Sequence, residues 1–329
     1  MTPAEIVAIP AARIQVRPVL SVEQTEALLG THLTDEMQVT ILRENTDVYD
    51  EWTGKCVLKF RRNVIPRETV ESAHAALNEA AVTSTNRGIA AGLVDPDRLD
   101  EIARMVGCKQ VVLDGENSTR FRRVKADGSI SATSYAIPVM SGVVGFMGGN
   151  PRFPYCRQTA YTQQNWEKFV KAYPIIKLVD TFYEALMPAE YAAQRAQANR
   201  TSPDFVIRDT AFTTVTVNKN WQTACHTDAG DFQGGFGNLV ALRKGRFTGG
   251  YFVFPRYGVG VDMQNCDLLL GDVHQVHGNT PIHLVDRRAT RISLVMYYRE
   301  DIGSCGTTAQ ELQKARETFD KRLGMGGEA

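Results

Sequence analysis

The spacing of apolar residues predicts that the first two thirds of the chain are rich in helices. Apolar positions recur there at helical spacing, as with Val70, Ala73, Leu77 and Ala80. Serine, aspartate and proline stand where these patterns begin, and glycine stands where several of them end, as is typical of capped helices. The patterns predict helices over residues 22–29, 66–81, 95–107, 165–186 with a bend near Pro174, 188–198 and 307–322.

From Phe212 onward the pattern changes to short runs of β-branched, aliphatic and aromatic residues separated by turn residues. These runs predict strands over residues 212–217, 239–242, 250–254, 258–262, 266–270, 282–284 and 291–298, and two earlier runs predict strands over 37–42 and 56–60. Short strands at regular spacing indicate an antiparallel sandwich or barrel. We therefore predict an α+β fold with a double-stranded β-helix (jelly roll) core, on one sheet of which the N-terminal and inserted helices pack.

We predict a single domain made of four successive portions. These are an N-terminal α/β portion (1–134), a loop with helices (135–204), a β-rich core (205–300) and a C-terminal helix (301–329). Residues 141–162 are rich in glycine, proline and aromatic residues. They predict either an ordinary connecting loop or a loop that contacts substrate, and the sequence leaves both open.

Composition narrows the class of partner. The 329 residues are 43% hydrophobic, which is enough to bury a sizeable core. Lysine plus arginine and aspartate plus glutamate both total 37, so the net charge is zero. This balance argues against strong, sequence-independent nucleic-acid binding but permits a local basic patch. The stretches 59–62 and 120–125, which mix cations with phenylalanine, are the candidates for phosphate contacts.

Cysteine usage and the N-terminus favour an intracellular location. The six cysteines include no Cys-x-x-Cys pair, so we expect reduced thiols rather than a disulfide framework or a zinc site. No charged-then-apolar signal segment and no apolar run of eighteen residues is present. The sequence therefore predicts a soluble cytoplasmic protein, or a nuclear one in a eukaryote, with no membrane partner. It leaves the oligomeric state unknown.

One histidine–aspartate pair carries most of the chemical information. His226 and Asp228 are separated by one residue, and a further histidine, His277, follows after several predicted strands. Two imidazoles and one carboxylate are the ligands of mononuclear non-haem Fe(II) oxygenases, in which they occupy one face of the metal and leave other positions open. In a jelly roll, the pair and the distal histidine would face one cavity.

The identity of the distal histidine is open between three residues. His274, His277 and His283 all follow the predicted strand 266–270. We favour His277 because it directly precedes the turn Gly278-Asn279-Thr280-Pro281, which would end a segment at the cavity rim. We expect His283 to be an ordinary strand residue.

A cation and a hydroxyl follow the distal histidine. Arg291 and Ser293 are two residues apart on a predicted strand, so their side chains lie on the same side of it. An arginine can bind a carboxylate through two parallel hydrogen bonds, which suits the distal carboxylate of 2-oxoglutarate. The alternative is an ion pair between Arg291 and Asp286 or Glu300. Arg287 and Arg288 lie in a charged, turn-like run that we interpret as solvated surface.

The chain resembles the TET/JBP family of Fe(II)- and 2-oxoglutarate-dependent DNA pyrimidine oxygenases. It is most similar to the branch that hydroxylates the thymine methyl group on the way to base J, and to viral relatives. The clear similarity covers residues 205–300 and a looser one reaches back to about residue 40. Its segments are 212–218, 226–231, 235–237, 277–281, 291–293 and 297–299, with weaker similarity at 59–63, 85–88 and 157–160.

The resemblance implies a catalytic domain with Fe(II), 2-oxoglutarate and O2 as cofactor and co-substrates. It implies that His226, Asp228 and His277 bind iron and that Arg291 and Ser293 hold 2-oxoglutarate. The remaining candidates are Asn218 on the co-substrate side and Asp231, Phe236 and Arg157 on the substrate side.

The implied reaction is hydroxylation of the 5-methyl group of a pyrimidine in DNA, with thymine ahead of 5-methylcytosine. The base would have to be flipped or single-stranded to reach a buried iron. Hydroxylation of a free nucleoside or another small metabolite is the alternative.

Overall fold

A computed structural model describes residues 1–116 and 118–323 of the chain. Within these residues the α-helices are Pro3–Ala8 (α1), Val22–Glu26 (α2), Arg67–Leu77 (α3), Leu99–Met105 (α4), Ala160–Gln164 (α5), Trp166–Lys171 (α6), Tyr173–Leu186 (α7), Pro188–Arg200 (α8) and Thr308–Arg322 (α9). The β-strands are Ala12–Val16 (β1), Thr40–Leu42 (β2), Thr46–Asp50 (β3), Cys56–Arg61 (β4), Val82–Ser84 (β5), Val111–Leu113 (β6), Phe121–Val124 (β7), Ile130–Tyr135 (β8), Val139–Met147 (β9), Arg157–Gln158 (β10), Thr214–Lys219 (β11), Gly237–Lys244 (β12), Phe247–Gly249 (β13), Phe252–Phe254 (β14), Val259–Val261 (β15), Leu268–Gly271 (β16), Gly278–Asn279 (β17), Ile282–Leu284 (β18) and Thr290–Tyr297 (β19).

The strands form one large sheet and several small ones. The large sheet has the order β1-β3-β4-β16-β12-β19-β11-β9-β10, and β5 also pairs with β9. A smaller sheet has the order β17-β14-β15-β2. The strands β13 and β18 form a pair, and β6, β7 and β8 form a separate meander. All pairings are antiparallel except β1 with β3 and β15 with β2.

Alternation along the central strands gives the large sheet two different faces. Ile292, Leu294 and Met296 of β19 are fully buried against the layer that contains α3, α6, α7 and α8. On the opposite face, Leu239 of β12 and Leu269 of β16 pack against the apolar side chains of β14 and β15. The helices therefore cover one face, and the smaller sheet covers much of the other.

Most predicted elements are confirmed, with shifted ends. The capping residues work as expected: the Ser21 hydroxyl accepts from the amide of Gln24 at the start of α2, and Thr307 caps α9. The prediction of one bent helix over residues 165–186 is wrong, because the chain forms two helices that meet at Ala172. Pro174 has no amide hydrogen, so it stands in the first turn of α7 rather than inside a longer helix.

The prediction of a loop over residues 141–162 is wrong for its first part, whereas the residues between β9 and β10 do form a loop. The first part belongs to β9, which pairs with β11 and β5 inside the large sheet. Two glycines that suggested a loop instead permit close packing of backbones. A β-carbon on Gly142 would lie 1.9 Å from the carbonyl oxygen of Ala80. Gly145 has φ +93°, and a β-carbon there would lie 2.5 Å from the carbonyl oxygen of Thr213.

The expectation of reduced cysteines is wrong for one pair. Cys156, after β9, and Cys305, before α9, are joined by a disulfide across 149 positions. Cys56, Cys108, Cys225 and Cys266 are free thiols. The pair could not be read from spacing, because a disulfide between distant positions depends on which loops the fold brings together. Among the described residues, no helix combines the length and apolarity that crossing a membrane requires.

Candidate active site

Two chain segments meet edge to edge beside the large sheet. The amide of His226 donates to the carbonyl of His277 at 2.9 Å, and the amide of His277 donates to the carbonyl of His226 at 2.9 Å. A residue pair that exchanges both hydrogen bonds places its side chains on the same side of the backbone. The two imidazole rings accordingly lie 4.4 Å apart between centroids. Gly278 allows this approach, because a β-carbon there would lie 3.2 Å from the amide nitrogen of Cys225.

Asp228 completes the group. Its amide donates to the carbonyl of Val273 at 3.0 Å, which turns its carboxylate towards both histidines. The carboxylate oxygens lie 3.5 Å from Nε2 of His226 and 3.8 Å from Nε2 of His277. One donor atom from each residue lies within 4.8 Å of the other two. Two imidazole nitrogens and a carboxylate oxygen at this separation fit a divalent transition metal.

Hydrogen bonds on the far side of each ring orient the free nitrogens. Nδ1 of His226 lies 2.7 Å from the carbonyl oxygen of Ala224, and Nδ1 of His277 lies 3.0 Å from that of Gln275. A carbonyl oxygen only accepts, so Nδ1 carries the hydrogen in both rings and each Nε2 presents a lone pair towards Asp228. Phe252 stacks on His277 and holds that ring in place.

Electrostatics favours the ligand protonation states of two of these groups. Burial and repulsion from His226 lower the pKa of His277. Burial alone would raise the pKa of Asp228, but the bond to His226 and the neighbouring histidines outweigh it and lower this pKa. Burial alone would lower the pKa of His226, but the hydrogen bond to Asp228 and the charge of its carboxylate outweigh burial and raise this pKa. At neutral pH His277 is therefore neutral and Asp228 ionised, as metal binding requires.

The three residues line a cavity of about 310 Å³ whose floor is the large sheet. The sheet contributes alternate residues of β19: Arg291, Ser293, Val295 and Tyr297 all face the cavity. The same alternation on β11 places Asn218 there, where its side-chain oxygen accepts from Ser141 at 2.5 Å. The structure thus brings Arg291, Ser293 and Asn218 together with His226, Asp228 and His277.

Arg291 is a buried cation whose charge is not neutralised by the protein. Its side chain lies in the cavity wall and the residue is only 4% exposed. Among residues 1–116 and 118–323, no side chain accepts from its guanidinium or pairs with it. Burial, together with the charge of Arg243, lowers the pKa of Arg291 to about 10. The alternative ion pairs with Asp286 and Glu300 are not formed, since Asp286 binds Arg246 and Glu300 begins a separate 3-10 turn. Such a site fits the carboxylate of a bound anion.

Gly250 makes room for this guanidinium. A β-carbon on Gly250 would lie 3.2 Å from Nε of Arg291, and the residue has φ +68°, which favours glycine. Glycine at position 250 therefore keeps the space next to Arg291 open, because the side chain of any other residue would occupy it.

Asp231 lies in the same cavity, three residues beyond Asp228. It is 9% exposed, and its Oδ2 atom is buried with no hydrogen-bond partner among the described residues. Burial and the neighbouring charge of Asp228 raise the pKa of Asp231 well above its usual range. An unsatisfied oxygen on a residue that lines a cavity is suited to receive a polar group of a ligand.

Two residues predicted on the substrate side do not line the cavity. Phe236 is buried in the core against the helices, and the hydroxyl of Tyr183 accepts from its amide. Arg157 donates to the carbonyls of Gly148 and Tyr155 on an outer strand. Neither position could be assigned from local pattern, since each follows from the packing of distant elements.

The structure distinguishes the three candidate distal histidines by position. His277 faces Asp228, whereas His274 points away, with Nε2 3.2 Å from the carbonyl of Phe232. His283 lies at the surface beside Asp35. The preference for His277 therefore agrees with the placement of the side chains.

The cavity also contains residues that the motif analysis did not single out as site residues. Arg87, from the segment after β5, reaches the cavity and donates to the carbonyl of Gly142 at 3.0 Å. Tyr297 and Arg299, at the end of β19, complete the wall near Asp231. The weak similarity at 85–88 was the one signal that pointed to Arg87.

The two basic stretches proposed from the sequence are largely engaged in structural contacts. Arg61 is buried and pairs with Asp47 at 2.6 Å, and Lys59 donates to the carbonyl of Leu186. In the second stretch, Arg122 pairs with Asp114 and Arg123 lies over the ring of Tyr135. Arg61, Lys59 and Arg122 are therefore poorly placed to bind an extended polyanion, whereas Arg120 and Lys125 are exposed.

Comparison with known proteins places this site in a family. Residues 146–300 match the Tet_JBP family, described as the oxygenase domain of the 2OGFeDO superfamily. Thymine dioxygenase JBP1 of Trypanosoma brucei brucei is 36% identical over 185 residues, which cover 54% of this chain and 22% of that protein. Thymine dioxygenase JBP1-B of Trypanosoma cruzi (strain CL Brener) is 32% identical over 248 residues, which cover 73% of this chain and 28% of that protein.

A solved structure has a related fold. NgTET1 in complex with 5mC DNA matches with a TM-score of 0.50 and 14% identity, over 88% of this chain and 92% of that one. At this identity the likeness concerns the fold alone. The chain spans about a quarter of the length of the two curated relatives. The matched oxygenase domain, residues 146–300, contains all three converging residues and Arg291, and this domain belongs to the TET/JBP family.

Proposed function

We propose that this protein is an Fe(II)- and 2-oxoglutarate-dependent dioxygenase that hydroxylates the 5-methyl group of a pyrimidine base in DNA, with thymine as the favoured base. The observation that carries the proposal is the cavity in which His226, Asp228 and His277 face the unpaired Arg291. The curated relatives named above are thymine dioxygenases, which supports thymine ahead of 5-methylcytosine.

In this proposal, His226, Asp228 and His277 hold the iron through Nε2, a carboxylate oxygen and Nε2. A three-residue ligand set leaves positions open for co-substrate and O2. The carbonyls of Ala224 and Gln275 keep both rings in the tautomer that presents Nε2. The chain thus orients the ligands before the metal arrives, which reduces the entropic cost of binding it.

Arg291 and Ser293 would hold the distal carboxylate of 2-oxoglutarate. The guanidinium is buried, fixed by its strand and free of competing carboxylates among the described residues, so an anion that enters the cavity gains its full charge interaction. When bound, iron and 2-oxoglutarate couple the decarboxylation of 2-oxoglutarate to succinate and CO2 with transfer of one atom of O2 into a substrate C–H bond.

The substrate base has to leave its helix to reach this site. A cavity of about 310 Å³ cannot admit a duplex, so the base must be flipped out or supplied from a single strand. Asp231 is the candidate for contact with the Watson–Crick edge, because its Oδ2 is buried, unpaired and on the cavity wall. A polar group that is satisfied only by the correct base provides selectivity.

We further propose that the two facing sheets form a double-stranded β-helix. The apolar side chains of β12 and β16 interdigitate with those of β14 and β15, as in a two-layered jelly roll. His226 and His277 lie where the two layers approach each other, and Arg291 lies deeper on the large sheet.

Mass spectrometry of nucleosides after turnover tests the function. The protein is incubated with Fe(II), 2-oxoglutarate and O2 and with either thymine-containing DNA, DNA that carries 5-methylcytosine, or free nucleosides. We expect oxygen to be added to a methyl group in DNA, in proportion to succinate released. His226→Ala should abolish this reaction. Oxygen gained only by the free nucleosides would refute DNA as the substrate, and succinate release independent of iron would refute the dioxygenase assignment.

A further inference from the structure

A chain with zero net charge needs a local cluster of available cations to bind DNA, and several cations of the two basic stretches are already engaged in ion pairs. The structure builds such a cluster from other residues. Arg152, Phe153, Tyr155 and Arg157, from the loop between β9 and β10, meet Arg322 at the end of α9. We name these five residues the arginine–phenylalanine patch.

Three guanidinium groups of the patch surround one aromatic ring. The guanidinium carbons of Arg152, Arg157 and Arg322 lie 5.2, 4.8 and 5.6 Å from the centroid of Phe153. Tyr155 packs edge-on against Phe153 at 6.1 Å between centroids. Arg152 and Arg322 are exposed, whereas Arg157 and both rings are half-buried. The patch therefore presents cations and an aromatic surface to solvent together.

These charges lack carboxylate partners. Within residues 1–116 and 118–323, none of the three arginines forms an ion pair. Their hydrogen bonds go to backbone carbonyls: Arg157 donates to those of Gly148 and Tyr155, and Arg322 to that of Arg152. Three like charges around one ring repel each other, and the repulsion would fall if an anion lay among them.

The loop that carries the patch is held in position. The Asn150 side chain accepts from the amides of Arg152 and Phe153 at 3.0 and 2.8 Å. The disulfide joins Cys156 to Cys305, and the buried carboxylate of Glu311 on α9 accepts from the amides of Cys156 and Gly306. A surface fixed in this way loses little conformational entropy when it binds a ligand.

A short chain of contacts connects the patch to the cavity. Arg157 donates to the carbonyl of Gly148, and the Gly148 backbone lies so close to Asp301 that a β-carbon would be 2.5 Å from its carboxylate. Asp301 in turn pairs with Arg299 at 2.9 Å, and Arg299 lines the cavity beside Asp231. The patch is therefore connected to the cavity wall near Asp231 through Gly148, Asp301 and Arg299.

We propose that the arginine–phenylalanine patch binds the DNA backbone next to the base that enters the cavity, with Arg152 and Arg322 on phosphates and Phe153 against a sugar or base. This inference rests on the proposed DNA substrate. Arginines that contact phosphates position a nucleic acid without reading its sequence, and aromatic rings add stacking with any base. The patch supplies local positive charge on a chain whose net charge is zero.

Salt-dependent DNA binding by the Arg152→Gln/Arg322→Gln variant tests the patch. Each phosphate contact contributes about 0.9 to the slope of log K against log salt for a duplex and about 0.7 for a single strand. We expect the double variant to lower the slope by about 1.4 to 1.8 and to weaken binding roughly tenfold or more at low salt. The probe is a fluorescently labelled oligonucleotide, measured by anisotropy with and without strand pairing.

The Arg67→Gln/Arg208→Gln variant is the matched control. It removes the same charge from two exposed arginines that pair with Glu71 and Asp209. It should change the slope far less, because both arginines already have carboxylate partners. DNA-independent succinate release should be unchanged in both variants, which separates DNA contact from damage to the cavity.

Three results would overturn the inference. They are an unchanged slope in the patch variant, an equal loss in the control, and absence of DNA binding by the wild-type protein. Poly-glutamate serves as a second probe. If the patch variant lost its binding to poly-glutamate but kept its binding to DNA, the patch would be assigned to an acidic protein partner instead. Because binding is measured without turnover, a protein that binds DNA through the patch but oxidises only free nucleosides would refute the proposed function and not the patch.

Discussion

Replacement of Arg291 by glutamine should weaken 2-oxoglutarate binding and stabilise the ligand-free protein at the same time. A guanidinium that makes two hydrogen bonds to a carboxylate contributes roughly 1.5–3 kcal/mol with each. Loss of both amounts to about 3–6 kcal/mol, or roughly a 10²- to 10⁴-fold higher Kd. Ser293 remains and would retain part of the affinity.

The effect on stability follows from burial. Burial and the charge of Arg243 lower the pKa of Arg291 from 12.5 to about 10, which corresponds to a cost of about 3 kcal/mol for the charged side chain in the folded state. The side chain is protonated in both the folded and unfolded states at pH 7, so this cost is fully present there and falls only as pH rises through about 10. Arg291→Gln removes this cost of the buried charge. The net gain in stability is smaller than the cost itself, because the shorter glutamine side chain loses some packing contacts.

Two measurements on the same variants check this reasoning. The Kd for 2-oxoglutarate is measured by calorimetry on anaerobic, Fe(II)-loaded protein, and the free energy of unfolding by denaturant titration of ligand-free protein. Arg61→Gln is the matched control, since Arg61 is also 4% exposed but pairs with Asp47. It should destabilise the protein by roughly 1–3 kcal/mol and leave the Kd unchanged.

A Kd for Arg291→Gln within threefold of the wild-type value would refute the carboxylate role. A loss of stability as large as that in Arg61→Gln would refute the claim that Arg291 is an uncompensated buried charge.

Three further predictions concern the metal ligands, the disulfide and a buried histidine. His277→Ala should lose bound iron and succinate release, while His274→Ala keeps both because its ring faces the Phe232 carbonyl outside the cavity; an inactive His274→Ala protein with normal iron content would contradict this placement. Cys305→Ser should lower the free energy of unfolding by about 2–4 kcal/mol under non-reducing conditions, and the difference from wild type should vanish in reductant; an equal stability without reductant would show that the bond does not form. Burial lowers the pKa of His74 to about 4, so the unfolded state binds a proton at a higher pH than the folded state does. The free energy of unfolding should therefore fall by up to about 3 kcal/mol as pH drops from about 6.5 to 4. In urea titrations at several pH values, His74→Gln should show a smaller loss over this window, and an identical loss would assign the pH dependence to other groups.

Local patterns predicted much of the fold because they depend on neighbouring residues. Serine and threonine caps, helical spacing and period-two runs act over a few positions, and α2, α9 and β19 formed where these patterns stood. Glycine misled the prediction where it served packing rather than a turn. Gly142 and Gly145 belong to a central strand, and only the neighbouring backbones explain them.

In the candidate site, too, some residues could be predicted from local patterns and others could not. The residue types and spacing of His226, Asp228, His277, Arg291 and Ser293 were sufficient to predict a metal centre and an anion site, because the chemistry of the ligand set is specific. Phe236 and Arg157, predicted on the substrate side, do not line the cavity, and Arg87, which does, was not singled out. A local pattern does not state which face of the molecule a loop or a strand end reaches.

By itself, the sequence indicated candidate ligands for a metal and a carboxylate and many of the segments that become helices or strands. Only the tertiary structure decided that His226 pairs with His277, that Cys156 meets Cys305, and that Arg322 joins Arg152 around Phe153. The physical reason is that each of these contacts joins distant positions through strand register and side-chain packing. These depend on the whole core, whereas caps and periodicity depend on a few adjacent residues.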